Sequence, residues 1–164
     1  MVINKEQLNQ LASKAWILPF SNNIHMAISE FEIVHILAGK QRYTHVPRSP
    51  HWCSYVFIWC DQLITLFDLN AYLHRDKSSK SAYDFSSSDI VCIVSYRDIN
   101  DTIQYGSFLL SSLPVARTVV DEQICNFPAG DTDWSILALS CFDDPDFGHV
   151  PILDIPRIFC ESIK

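Results

Sequence analysis

Basic charge is what this sequence most lacks. Twelve lysines and arginines face nineteen aspartates and glutamates, a formal net charge of −7. Nucleic-acid binding rests on Lys and Arg that neutralise phosphates, and no surplus is available for it here. The same deficit argues against an anionic membrane surface as partner. Glycine is scarce as well, at 4 of 164 residues, which excludes a collagen-like repeat or a glycine-rich linker. No apolar run approaches the roughly 18 residues of a membrane-spanning helix. The first residues, Met1 to Glu6, lack the basic-then-apolar order of a signal peptide. The expectation is a cytoplasmic protein with no membrane insertion. Hydrophobic residues make up 48% and charged residues only 19%, the opposite of a disordered composition. The length suits one domain with a packed core.

Catalytic and metal motifs are equally sparse. Six cysteines stand at 53, 60, 92, 125, 141 and 160, with no Cys-x-x-Cys spacing, so neither a zinc knuckle nor a thioredoxin-like motif is present. Several fall in apolar runs, as Cys92 does within Ile90 to Val94, and they read as reduced, buried thiols. His51 and Cys53 are two apart with His45 nearby, short of the four tightly spaced ligands of a closed zinc site. Asp143-Asp144-Pro145-Asp146 lacks the alternating ligands, central Gly and terminal Glu of a calcium loop, and reads as a turn. There is no Gly-x-Ser-x-Gly elbow, phosphate loop or His-Glu-x-x-His helix. Cys60, beside the acidic Asp61, is a poor candidate nucleophile. Neither an enzyme nor a cofactor or metal site is expected.

What the sequence does have is strands. Leu8, Leu11, Ala12 and Ala15 fall at helical spacing, so residues 4–16 predict a short N-terminal helix. Beyond it come Ile17 to Phe20 and Ile24 to Ile28 around the turn Ser21-Asn22-Asn23, then Phe31 to Leu37. Val56 to Cys60 and Leu63 to Phe67 flank Asp61-Gln62 as a hairpin. Arg75 to Ser88 is serine-rich and reads as a surface loop. Further strands are predicted at Ile90 to Tyr96, Phe108 to Leu110, Val115 to Val120, Trp134 to Phe142 and Val150 to Ile155, with a loop over Asn126 to Asp133. A helical turn at Ile158 to Ile163 closes the chain.

Two segments echo each other. Ile64 to Leu73 and Val150 to Phe159 each run as an apolar strand, an Asp, an apolar residue and two apolar anchors, with Asp68 and Asp154 86 positions apart. The aspartates are expected to hydrogen-bond the turn that follows them. The echo implies two similar β units, each marginal alone and sharing one hydrophobic interface.

Trp52, Tyr55, Phe57 and Trp59 crowd one stretch. Period-2 alternation sends Tyr55, Phe57 and Trp59 to one face and Val56, Ile58 and Cys60 to the other. Both faces are apolar. Either both are buried, or the cluster is a docking patch.

Val46-Pro47-Arg48-Ser49-Pro50-His51-Trp52 through Leu63-Ile64-Thr65-Leu66-Phe67-Asp68-Leu69 resembles the signature block of CheW-like domains, the coupling proteins of bacterial chemotaxis arrays. Ile33, Val34, His35 and Ile36 match the family's Val-x-Glu-Ile strand. Ile90 to Val94, Gly106 to Val120 and Val150 to Phe159 resemble its second half. Coverage runs over about residues 16–160. The family's Gly-Val-x-Asn-Leu-Arg-Gly is altered: Tyr55 stands for the first Gly, Ile58 for Asn, Cys60 for Arg and Asp61 for the second Gly. His35 stands for Glu, and Ser111 for a later Asp.

The resemblance implies an all-β fold of two five-stranded SH3-like barrels around a shared core. It implies a single CheW-like domain over 1–164, one barrel roughly 17–74 and the other roughly 89–160, with the strand exchange open. It further implies a non-enzymatic adaptor in a chemosensory complex, docking to the CheW-like domain of a CheA-like histidine kinase and, as second partner, a chemoreceptor. Twitching motility by type IV pili is one output it allows. A CheW-fold binding module serving another system is the alternative. The kinase-facing positions are Ile33, Val34 and Ile36, with Tyr55 and Phe57 as neighbours. His35, Cys60 and Asp61 complete the expected partner surface.

Overall fold

Strict alternation along the strands sorts apolar side chains into separate cores. The computed structural model describes residues 12–76 and 89–161. Its elements are β1 (Ala12–Ser21), β2 (Ile24–Ser29), β3 (Ile33–Ala38), β4 (Thr44–His45), β5 (Tyr55–Trp59), β6 (Gln62–Phe67) and α1 (Leu69–Leu73). There follow β7 (Ile90–Arg97), β8 (Ile103–Leu110), β9 (Val115–Val120), β10 (Ala138–Asp144), β11 (Gly148–Leu153) and α2 (Ile155–Glu161).

These strands form two curled sheets, the two SH3-like barrels of the fold, ordered β10-β11-β2-β1-β9 and β3-β7-β8-β6-β5-β4. The sixth strand of the larger sheet is the two-residue β4. The barrels do not follow the expected bounds of roughly 17–74 and 89–160, because the leading hairpin of each half is exchanged into the other barrel. Each half of the chain runs hairpin, single strand, hairpin, helix, and each leading hairpin pairs with strands of the other half. Thus β1–β2 joins β9, β10 and β11, while β7–β8 joins β3 and β6.

Ile17 and Ala27 point into the five-stranded barrel with Phe142 and Val150. Val91, Ile93 and Leu109 point into the six-stranded one with Phe57, Ile64 and Leu66. Their strand neighbours Leu18, Met26, Ile28, Cys92, Val94, Phe108 and Leu110 face the other way and meet in a third core between the barrels, which α1 and α2 complete with Leu69, Ile155, Ile158 and Phe159. Central strands buried on both faces are why the sequence reads there as unbroken apolar runs.

The echo has a common structure. Asp68 precedes α1 and its carboxylate accepts the Ala71 N–H at 2.9 Å. Asp154 precedes α2 and accepts the Arg157 N–H at 3.2 Å. Both bond the segment that follows, as expected, but as helix N-caps: where a turn was expected after Asp68 the chain forms the helix Leu69–Leu73.

Several local expectations are corrected. Residues 12–16 lie in β1 and not in a helix, since Ala12 to Ile17 pair with β9 and Ala15 onward with β2; ladder bonds on both sides outweigh a weak helical spacing. Residues 4–11 lie outside the described residues, as do 77–88 of the serine-rich stretch. The hairpin turn falls on Cys60-Asp61, one position early, because Trp59 pairs with Gln62 and Phe57 with Ile64, the register that keeps both Phe57 and Ile64 inside. β8 begins at Ile103, extended by its ladder with β7. Trp134–Ile136 is a 3-10 turn, with the Asp133 carboxylate accepting from Ser135 N–H at 3.2 Å, so β10 starts later and continues through Asp144. α2 starts at Ile155, directly after its cap.

Candidate docking site

The residues expected to meet a partner fall on β3, at one edge of the six-stranded sheet, and on the β5–β6 hairpin toward its other edge. β3 is the edge strand there, paired to β7 with a register shift between Ile33 and His35. The shift is a bulge at Val34, and a bulge breaks the alternation of faces. Val34 (39% exposed) and His35 therefore both reach the surface. Ile33 and Ile36 are half-buried against the core between the barrels. The His35 ring lies 6.3 Å from the Trp59 ring, centroid to centroid, which sets β3 beside the β5–β6 hairpin. Cys60 and Asp61 form the hairpin tip and are exposed.

β5 settles both faces of the aromatic stretch. Tyr55, Phe57 and Trp59 pack on the barrel core. Phe57 is only 3% exposed and meets Tyr43 edge-on at 5.8 Å, so its expected place on the partner surface is corrected: it is a core residue. Tyr55 is half-buried, its ring 5.3 Å from that of His45. The Trp52 ring packs edge-on to Tyr72 at 5.4 Å. The exposed apolar face is aliphatic. Ile58 (74% exposed) and Leu63 (69%) stand directly opposite each other across the hairpin. The sequence reading placed neither in the site. The observed hairpin register puts them outside, with Phe57 and Ile64 inside.

Backbone geometry adds strain at the tip. Cys60 and Asp61 have φ of +48° and +60°, the left-handed pair of a two-residue turn normally given to Asn-Gly or Gly-Gly. Behind the site, Glu32 accepts the Ser29 N–H at 2.8 Å; burial raises its carboxyl above the usual range, against that bond. Burial likewise raises Asp68, opposed by its cap bonds, and the Cys53 thiol.

Away from this surface, an open cleft of about 790 Å³ lies among the β1–β2 turn, the end of α1 and the loop before β10, lined by His25, His74, Asp131, Trp134 and His149. His25 rests on the Phe147 ring at 4.5 Å, and burial lowers its pKa. Among the described residues no three His, Cys, Asp or Glu side chains converge to hold a metal ion, and no helix is long and apolar enough to cross a membrane.

The site thus consists of an aliphatic pair on a short hairpin, a bulged edge strand and a strained polar tip, without a catalytic grouping among these residues. The scaffolding protein TtCheW from Thermoanaerobacter tengcongensis is similar in structure, with TM-score 0.69 and 12% identity, over 93% of this chain and 95% of that one. No curated protein matches the chain. The family model for the CheW-like domain matches residues 21–162. The chain belongs to the CheW-like domain family.

Proposed function

We propose that this chain is a non-enzymatic adaptor that docks, through the β3 edge and the β5–β6 hairpin, onto the CheW-like domain of a CheA-like histidine kinase in a chemosensory complex. The observation that carries the reading is the exposed pair Ile58 and Leu63, held opposite one another on a short hairpin. Large aliphatics fixed on a strand lose little entropy on binding, and each contributes about 1.5–3 kcal/mol when its exposed surface is covered. A kinase partner places the protein in the cytoplasm. Nothing on this surface singles out an output, twitching motility included.

Chemoreceptor coupling is the weaker half of the reading. Cys60 stands where the family pattern has Arg, and lacks the planar fork of donors that pairs with a carboxylate. That substitution favours, as the second reading, a CheW-fold module serving a different system.

Titration calorimetry against the CheW-like domain of the kinase and against a receptor-tip peptide separates the readings. Measurable kinase binding, weakened at least ~30-fold by Ile58→Asp with Leu63→Asp and less by Val34→Asp, with little receptor-tip binding, is expected. Tight receptor-tip binding restores an ordinary coupling role. Binding to neither leaves the second reading.

A further inference from the structure

The five-stranded barrel closes at a seam. Its edge strands β9 and β10 share no ladder; they are joined through the short segment after β9, where Ile124 bridges Phe142 and the Cys125 N–H donates to the Cys141 carbonyl at 3.0 Å. Side chains assist. Arg117 donates to Asp144 at 2.9 Å and to Asp146 at 2.7 Å, and Gln123 Nε2 donates to the Asp143 carbonyl at 3.0 Å. At this seam the Cys125 and Cys141 Sγ atoms lie 3.6 Å apart, both as free thiols.

We propose that Cys125 and Cys141 are an oxidisable pair that closes to a disulfide across the seam, clamping the segment after β9 onto β10. Residues opposite one another on antiparallel segments have Cα atoms about 4.5–5.5 Å apart, inside the range that a disulfide spans. The sulfurs need to approach from 3.6 Å to about 2.05 Å, a change that side-chain rotation supplies. The two thiols differ in access. Cys125 is half-buried and reachable; Cys141 is buried, and desolvation pushes its thiol up to about 12.

The order of steps follows from that difference. With oxidised glutathione, the Cys125 thiolate attacks one glutathione sulfur, the glutathione S–S bond breaks, and one glutathione thiolate leaves and takes up a proton. Cys141 then gives up its proton and attacks Cys125 Sγ, expelling the second glutathione thiolate, which is protonated in turn. Two protein thiols are oxidised to one disulfide while one glutathione disulfide is reduced to two thiols. The loop so enclosed carries Pro128, Asp131 and Trp134 of the cleft wall, so the clamp also restrains that wall.

The reduced full chain is incubated with oxidised glutathione at about pH 8, quenched with acid, alkylated in denaturant, digested and read by mass spectrometry. A peptide linked through Cys125 and Cys141 is expected in most molecules, with exposed Cys60 as the control thiol carrying glutathione. The oxidised chain should melt about 6–12 °C above the reduced one, the effect of closing a loop of this size in a domain of this length. Cys141→Ser should instead leave glutathione on Cys125 with no rise. Glutathione or alkyl label on Cys125 of the oxidised wild type overturns the proposal, as do links scattered among other cysteines or a link without a rise in melting temperature. Should Cys141→Ser fail to fold, mapping and melting of the wild type decide alone.

Discussion

Cys60 and Asp61 show how a residue pair inherits a backbone it does not suit. A two-residue hairpin turn needs positive φ at both central positions, and here neither is glycine. A side chain in the left-handed region costs about 1–2 kcal/mol, less for Asp, whose short polar chain tolerates it. Asp61→Gly should therefore stabilise the protein by about 1 kcal/mol, seen as a higher urea midpoint at unchanged slope. A lower midpoint would mean that Asp61 makes a stabilising contact outweighing its strain. At this scale the sequence showed that a turn was present but put it one residue late. Parity of Phe57 and Ile64 with the barrel interior, and not turn chemistry, fixed the register. Exposure was harder still to read: Phe57 and Ile58 are both large and apolar, and only the curl of the sheet decides which one faces water.

The recurring element is strand, capping aspartate, helix. The strand and its aspartate were legible from a local signature, Asp followed by apolar anchors at fixed spacing, but the sequence predicted a turn after Asp68 and not the helix Leu69–Leu73. Asp68→Ala should cost about 1 kcal/mol by removing the bond to the Ala71 N–H, and Asp68→Asn should recover most of it; a thermal melt checks both. Where α2 packs on β8 the fit is close. A Cβ at Gly106 would sit 2.5 Å from the Phe159 ring, and Phe159 also stacks on Tyr96 at 5.3 Å. Gly106→Ala should destabilise by about 1–3 kcal/mol, because the ring must leave its stacked position or β8 must shift. Equal stability would show that the helix is loosely seated. The N-terminal helix expectation failed over residues 12–16 for a reason belonging to this scale: Ala15 and Ile17 alternate into the barrel, Trp16 and Leu18 toward the core between the barrels, and two flanking strands complete the ladder that a single segment cannot advertise.

Over the whole molecule, burial on both faces of the central strands sets the response to alkali. Cys92, at the contact between the barrels, has its thiol pushed from the ordinary 9.0 up to about 12 by desolvation. Tyr43 is pushed up to about 12 by burial and the nearby Asp89 charge. Above pH 9 the unfolded chain releases the Cys92 proton while the folded chain keeps it, so the native state binds more protons. Stability therefore falls as pH rises from about 9 to about 12 through Cys92, joined from about pH 10 by Tyr43, each group adding up to about 1.4 kcal/mol per pH unit. Urea midpoints under reducing conditions at about pH 8, 9.5 and 10.5 should fall progressively, and Cys92→Val should flatten the fall. An unchanged slope in that variant would remove Cys92 as a cause.

Alternation, turn residues and the 86-residue echo determined by themselves that the chain is built of strands in two related sets, each ending in an aspartate that bonds the segment after it. Those features are local, and a side chain's face in a strand follows from its position alone. Which strands pair was decided by the tertiary structure, because β1–β2 and β7–β8 each meet partners from the other half of the chain. Backbone hydrogen bonds between strands are indifferent to sequence distance and carry almost no residue signature. The same reason put Ile58 and Leu63 outside and brought Cys125 to Cys141: those are outcomes of sheet closure, and closure is a property of all the strands together.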